Sequence, residues 1–152
     1  MTDQPQNRSA YVTVEIGEQV FGIAIGRVRE VFAPERLTRI PLSPPEIAGV
    51  LNLRGRIVTA IDMRSQLGMP AAPEGLRSMA IGVDHRSEAF ALLVDRPGDV
   101  VELDAAGREP PPSTLDPRWA GLVTGVHRLE NRLLLILDVD RALATHSEDI
   151  AA

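Results

Sequence analysis

The stretch IAGVLNLRGRIVTAIDMR, residues 47–64, decides the fold of this chain. It contains two apolar segments, Ile47–Leu53 and Ile57–Ile61, each of a length typical of a buried β-strand. Arg54-Gly55-Arg56 separates them, and a glycine at the centre of so short a connection indicates a tight turn. Asp62 then stands at the N-cap of a short helix, so we expect a hairpin followed by a capped helix.

The rest of the chain continues this pattern of short strands. Glycine and proline number 12 each, a density of turn residues that favours many short strands over long helices. Alternating apolar residues predict an opening hairpin, Tyr11–Ile16 and Val20–Ile25, around the turn Gly17-Glu18. The further elements that we expect are a short helix running into a strand over Gly26–Phe32, a helical turn at Pro44–Glu46, the helix Met63–Leu67, a hairpin of Ser78–Asp84 and Ala89–Asp95 around the turn His85–Glu88, the strands Gly98–Leu103, Gly121–Leu129 and Arg132–Leu137, and a final helix Val139–Ala144 capped by Asp138. We therefore predict an all-β fold, mainly β with short helices.

A weak internal repeat relates the two halves of the chain. Ala48–Leu51 is echoed by Ala120–Val123, and Arg56–Asp62 is echoed by Arg132–Asp138. Each copy predicts two strands and then a capped helix, as expected for two similar β subunits in one chain. Chance is the alternative, because apolar strands in front of a capping aspartate are common.

Composition narrows the class of function. The chain has 152 residues, no cysteine and a formal charge of −5, which excludes disulfides and thiolate metal sites and argues against a nucleic-acid partner. The longest apolar run, Leu133–Leu137, is too short to cross a bilayer, so we expect no direct membrane insertion. The polar residues Met1–Ala10 show no secretory signal, and we expect a cytoplasmic protein.

No group of catalytic residues stands out. The three histidines, His85, His127 and His146, are not at metal-ligand spacing. We interpret His85 as a solvated turn residue, His127 as a strand residue and His146 as part of a solvated tail. Asp138 and Asp140 lie two apart at a helix start, without a third ligand near in sequence. No phosphate-binding glycine loop is present, so we expect no metal, no cofactor and no enzymatic activity.

Residues 47–64 closely resemble the signature of the chemotaxis coupling protein family, CheW. That signature is a strand ending in Asn-Leu-Arg-Gly, then an apolar strand, then an Asp-led helix. Four further segments resemble the family in the same order, namely Phe21–Ile23, Val28–Val31, Leu92–Asp95 and Arg132–Leu143. The resemblance implies two small five-stranded barrels packed side by side over residues 10–144, with disordered tails at 1–9 and 145–152. It leaves open the boundary between the barrels and whether they exchange strands.

The resemblance also implies a function. It predicts a non-enzymatic adaptor that couples methyl-accepting chemoreceptors to the histidine kinase CheA in signalling arrays, to which it would be recruited from the cytoplasm. Its partners would be the regulatory domain of CheA, itself similar in fold, and the cytoplasmic tip of a chemoreceptor. The same adaptor in a twitching, biofilm or other chemosensory-like pathway is the nearest alternative. An enzyme with a dispersed site and a nucleic-acid-binding barrel are the other classes.

Site residues carried over from the resemblance fall into three groups. The receptor-binding group is Gly49, Leu51, Asn52 and Arg54, the kinase-binding group is Val28, Glu30 and Arg108, and the structural group is Gly55, Asp62 and Asp138. Glu30 also matches a family position that can pair with Arg54. The residues themselves leave other interpretations open, which are a solvated turn residue for Arg54, a β-bulge for Gly49 and core packing for Val28.

Overall fold

The computed structural model describes residues 8–144, and about half of them form two five-stranded sheets. The first sheet contains β1 (Arg8–Ile16), β2 (Gln19–Ala24), β8 (Arg96–Asp104), β9 (Val123–Arg128) and β10 (Leu133–Leu137), in the order β8-β1-β2-β10-β9. The second contains β3 (Val28–Phe32), β4 (Ile47–Leu53), β5 (Arg56–Asp62), β6 (Met79–His85) and β7 (Glu88–Val94), in the order β3-β6-β7-β5-β4. The helical elements are short: 3₁₀ turns at Ile25–Arg27 and Ala105–Gly107, α1 (Met63–Gln66), α2 (Pro117–Ala120) and α3 at residues 139–144. The predicted fold class is confirmed.

The two sheets exchange one strand each. β3 follows the hairpin β1–β2 along the chain but pairs with β6 in the second sheet. β8 follows the hairpin β6–β7 but pairs with β1 in the first sheet. Each sheet therefore depends on a strand that follows the other sheet's hairpin, and the chain crosses between the sheets at both places.

Backbone bridges connect the opposite edges of each sheet. Thr38 and Val50 exchange two N–H···O bonds of 2.8 Å, so the chain that leaves the edge strand β3 returns to the edge strand β4. Glu109 and Val126 exchange two bonds of 2.8 Å, which bring the chain after β8 to β9 in the same way. We call the closed sheets the first barrel and the second barrel. Closure leaves fewer free strand edges on which another chain could pair.

Half of the predicted repeat is confirmed, since β5 with α1 occupies the place in the second barrel that β10 with α3 occupies in the first. The predicted match of Ala48–Leu51 with Ala120–Val123 is wrong. Gly49 and Gly125 are the equivalent residues, because each follows the single register shift of its strand pair. The segment after Asp116 forms α2 instead, since the Asp116 carboxylate caps it.

The predicted opening hairpin is confirmed, but the turn of the second hairpin is shorter than predicted. Only Arg86 and Ser87 form it, with φ values of 52° and 68°, and His85 pairs with Glu88. Two left-handed residues give a turn whose twist suits a two-residue hairpin loop. His85 therefore belongs to β6 and is buried, so its interpretation as a solvated turn residue is wrong.

Other differences concern the chain ends and one loop. β1 begins at Arg8, so two residues of the predicted N-terminal tail lie in a strand. The rest of that tail, the predicted C-terminal tail and His146 lie outside the described residues. The predicted helical turn at Pro44–Glu46 is a β-turn, closed by a 3.0 Å bond from the Ile47 N–H to the Pro44 carbonyl.

One apolar core spans both barrels. It joins Val14 and Phe21 of the first barrel to Ile61, Phe90 and Leu92 of the second, all of them essentially fully buried. Two smaller clusters each belong to a single barrel. Burial of a large apolar side chain contributes roughly 1.5–3 kcal/mol, so the shared core and the exchanged strands together bind the barrels into one unit.

A buried ion pair fixes the crossing from β7 to β8. The Asp95 carboxylate accepts two hydrogen bonds from Arg64 of α1, at 2.9 and 2.6 Å, and one from the Gly17 N–H at 2.8 Å. The two charged side chains are only 16% and 7% exposed. The hydrogen bond from Arg64, assisted by that from Gly17, holds the pKa of Asp95 below its ordinary value. This contact joins the second barrel's helix to the first barrel's opening turn.

A related cluster with exchanged charges fixes the other crossing. Asp140 lies two residues after the Asp138 cap, as Arg64 lies two residues after the Asp62 cap. Asp140 accepts two bonds from Arg27, at 3.0 and 2.9 Å, immediately before β3, and lies 2.9 Å from His85 Nδ1. Arg27, and after it His85, lower the pKa of Asp140. Both crossings therefore depend on a charged residue in the first turn of a helix, Arg64 of α1 for one and Asp140 of α3 for the other.

Asp95→Asn should destabilise the fold in a pH-dependent way. Because the folded-state pKa of Asp95 is lowered, its stabilisation is present above the ordinary aspartate pKa of about 3.9 and is lost as pH falls through the folded pKa. We expect urea unfolding to show a loss of about 3 kcal/mol at pH 7, which shrinks below about pH 4. Glu109→Gln, at the exposed pair with Arg128, is the control and should cost less than about 1 kcal/mol. A deficit that is the same at pH 7 and at pH 3 would contradict this assignment.

Gly49→Ala should also destabilise the fold. Gly49 has φ +150°, and a Cβ there would overlap the Thr38 carbonyl of the bridging segment. Backbone strain and overpacking together should cost about 2–4 kcal/mol in thermal or urea unfolding. Gly26→Ala is the matched control, because open space surrounds Gly26, and should stay within about 0.5 kcal/mol of the wild type. Equal stability of both variants would show that the Thr38 bridge can open without cost.

Candidate protein-binding site

The turn between β4 and β5 displays Arg54 at the end of the second barrel. Arg54 and Gly55 form the turn, with φ values of 53° and 86°, while Arg56 pairs with Leu53 and so belongs to β5. The Asn52 side-chain oxygen accepts the Gly55 N–H at 2.9 Å, which closes the turn. The Arg54 side chain is 71% exposed, and the two strands β4 and β5 hold it in this position.

Arg54 forms an ion pair with Glu30 of β3, the partner that the family resemblance implied for it. The Glu30 side chain is 29% exposed, and the Arg54 guanidinium reaches it across the barrel end. Because the arginine is largely in water, the pair contributes at most about 1 kcal/mol to stability. Its effect is to fix the direction of the Arg54 side chain.

An apolar cleft of about 180 Å³ lies beside this pair. Phe32, Val58 and Phe90 are among its apolar lining residues. Its charged lining residues are Arg29, Glu30, Arg54, Arg56 and Asp84, with Arg29 paired to Asp84 at 2.7 Å. An apolar floor with a charged rim is the composition of a protein interface, in which arginine is a frequent anchor. The sequence patterns did not identify this cleft, because its walls come from strands far apart in the chain.

Two of the four expected receptor-binding residues have structural roles. Gly49 lies at a β-bulge, and the backbone that approaches it is the chain's own Thr38 segment, so the bulge interpretation is correct. Leu51 is 4% exposed and packs in the core of the second barrel, so its side chain cannot contact a partner. Asn52 and Arg54 are both exposed, but only Arg54 lines the cleft. Asn52 lines a separate groove with Arg36 and Ile57.

The structure does not bring the three expected kinase-binding residues together. Glu30 is engaged with Arg54, and Val28 is half-buried against the main core, which favours its packing interpretation. Arg108 is exposed beside β9 of the first barrel, where it donates to the Thr124 carbonyl at 3.1 Å and lies over Gly125. The surface around Arg108 is therefore separate from the Arg54 cleft.

The expected structural residues have the predicted roles. Gly55 is the second left-handed residue of the β4–β5 turn. The Asp62 carboxylate accepts the N–H groups of Arg64 and Ser65, at 3.0 and 3.3 Å, and so caps α1. Asp138 accepts the Arg141 N–H at 3.1 Å and caps α3.

The ionisable residues that sequence patterns raised as catalytic candidates are engaged elsewhere. His85 contacts Asp140 in the second crossing cluster. His127 lies in the strand β9, as predicted, and is buried there. Its pKa is lowered by burial and then by Arg108. Within residues 8–144, no group of three histidine or acidic side chains is arranged to hold a metal ion. No helix in that part of the chain is long and apolar enough to span a membrane.

The sequence patterns also missed Arg64 and Asp95 as a pair. The two residues are 31 positions apart, and neither lies in a pattern that indicates an ion pair. Their only signal was position, since Arg64 follows the Asp62 cap and Asp95 ends an apolar strand.

Comparison with known proteins agrees with this architecture. The model of the CheW-like domain matches residues 10–147. A "Chemotaxis protein CheW" of Rhizobium meliloti is 27% identical over 140 residues, 92% of this chain and 90% of the relative. One of Klebsiella aerogenes is 29% identical, over 93% of this chain and 84% of the relative. The solved structure of the scaffolding protein TtCheW from Thermoanaerobacter tengcongensis superimposes with a TM-score of 0.79, at 28% identity over 89% of this chain and 92% of that chain.

The matching domain covers nearly all of the described chain, from the opening hairpin to α3, and the solved relative has the same arrangement. The chain belongs to the CheW-like domain family.

Proposed function

We propose that this protein is a non-enzymatic scaffold that couples chemoreceptors to a histidine kinase of the CheA type in a signalling array. The observation that carries the proposal is the Arg54–Glu30 pair beside the apolar cleft, at the positions that the family resemblance assigns to partner binding. The relatives' names, chemotaxis protein and scaffolding protein, support a binding role rather than a catalytic one. The protein would act in the cytoplasm and be recruited to receptors at the membrane.

The Arg54 cleft is one surface and binds one partner at a time. Arg54 was expected at the receptor and Glu30 at the kinase, yet their side chains are in direct contact. A partner that covers one must cover or displace the other. We assign this surface to the helical tip of the receptor, because Asn52 and Arg54 lie together on the β4–β5 turn. The charged rim would orient the receptor, and the apolar floor would receive its side chains.

A scaffold of this kind needs a second surface for the kinase. Val28 and Arg108 remain predictions for kinase contact, and only Arg108 is exposed. Arg108 lies on the first barrel, so a kinase domain bound there would leave the Arg54 cleft accessible.

Arg54→Ala should weaken receptor binding without loss of the fold. We expect calorimetric titration with a receptor cytoplasmic fragment to show affinity at least about tenfold weaker, which corresponds to about 1.4 kcal/mol. The thermal midpoint should change little, because the ion pair is exposed. Glu30→Gln should weaken binding of the same receptor fragment, because the Arg54 side chain then loses the ion pair that fixes its direction.

Arg128→Ala is the matched control for this experiment. Arg128 is 72% exposed and paired with Glu109 on the first barrel. Arg128→Ala therefore removes one positive charge, as Arg54→Ala does, but at a place outside the cleft. Receptor affinity of Arg54→Ala equal to that of Arg128→Ala would remove Arg54 from the receptor site. A large drop in the melting temperature of Arg54→Ala would reassign the residue to folding.

A further inference from the structure

Leu42 is the most exposed large apolar residue of the described chain, and its backbone is unfavourable for leucine. Its relative exposure is 105%, whereas the main apolar side chains of the barrels are buried. Its φ is +64°, a left-handed value that glycine adopts freely and leucine does not. Neither local conformation nor burial on folding therefore explains a leucine at this position.

Two β-turns and a core contact fix the conformation of the loop around Leu42. Ile40 packs against the main core, and its carbonyl accepts the Ser43 hydroxyl at 2.8 Å and the Ser43 N–H at 3.4 Å. This closes a first β-turn with Pro41 in its second position, the place where proline is favoured. The second β-turn, Pro44–Ile47, has Pro45 in the same position and ends at the buried Ile47. Leu42 is thus held outward at little further cost in conformational entropy.

We propose that Leu42 is a preorganised apolar anchor for the kinase regulatory domain, inserted into an apolar socket rimmed by carboxylates. The inference rests on the proposed scaffold function and adds a kinase contact on the second barrel to the one predicted at Arg108 of the first barrel. β4 separates the loop from the Arg54 turn by seven residues, which is about 20 Å along a strand. Both surfaces are therefore accessible at the same time.

The charge beside Leu42 indicates which chemistry the partner's socket should have. A shallow groove beside Leu42 is lined by residues 39–45 and Ile47, and Arg39 is its single charged residue. Arg39 is exposed and forms no ion pair with any residue of 8–144. A complementary surface therefore places carboxylates around its apolar centre. A second copy of this chain fits poorly, because the two carboxylates at the rim of its own cleft are already paired with Arg29 and Arg54, which leaves Arg56 in excess.

The variant Leu42→Gly separates binding from folding, because it removes the side chain and relieves the backbone. In titration with the regulatory domain of the kinase from the same organism, we expect affinity at least about tenfold weaker than for the wild type. The thermal midpoint should be equal or higher. Arg86→Gly is the matched control, since Arg86 is exposed with φ 52° on the second hairpin, and should leave kinase affinity unchanged. Arg39→Glu should weaken kinase binding through charge repulsion.

Several outcomes would overturn the inference. Kinase affinity of Leu42→Gly within twofold of the wild type would exclude Leu42 as an anchor. A lower thermal midpoint of Leu42→Gly would show that Leu42 stabilises the fold. If Leu42→Gly lost receptor binding alone, the loop would be a receptor contact instead. Undiminished kinase affinity of Arg39→Glu would exclude the carboxylate rim. If the wild-type protein binds neither the kinase domain nor the receptor fragment, the proposed scaffold function itself fails, a result distinct from all of these.

Discussion

The buried contact of Asp95 with Arg64 and the Gly17 N–H is the constraint on which the rest of the structure depends. Each barrel is completed by a strand that follows the other barrel's hairpin, so the fold requires the chain to cross twice at fixed positions. Asp95 lies at one crossing, and Asp140 with Arg27 holds the other. The first contact is largely dry and the second more exposed, at 34% for Arg27 and 60% for Asp140. Since a buried pair is weakly screened by solvent, the Asp95 crossing is the firmer of the two.

The closed barrels explain why the proposed binding features lie on loops. In each barrel, the segment that closes the sheet packs over a glycine. The Thr38 backbone lies over Gly49, and the Arg108 side chain lies over Gly125. Closure uses the strand edges for internal bonds, so recognition falls to the barrel ends and connecting segments. The β4–β5 turn and the loop of Leu42 lie at opposite ends of one strand. Each is fixed by hydrogen bonds or prolines, as the proposed scaffold function requires.

Sequence patterns predicted the elements better than their assembly. The strands around Arg54, the Asp62 cap and the opening hairpin were readable because apolar segment length, turn residues and capping residues are local signals. Strand exchange could not be predicted from sequence patterns, because the apolar pattern of a strand does not indicate which sheet the strand joins. His85 was misjudged because a polar residue beside a turn gives no sign that a distant helix will cover it. The resemblance placed Arg54 and Glu30 together, but the structural roles of Gly49 and Leu51 depend on burial and on a bridge from a distant segment, which no local pattern indicates.

In the proposed function, one rigid chain holds two partners at separate surfaces. The most direct test is light scattering after size exclusion of the wild-type protein mixed with the kinase regulatory domain and a receptor cytoplasmic fragment, singly and together. We predict one species that contains all three components, larger than either binary complex. Displacement of the receptor fragment by the kinase domain, with only binary complexes at every ratio, would contradict the claim and place both partners on a single surface.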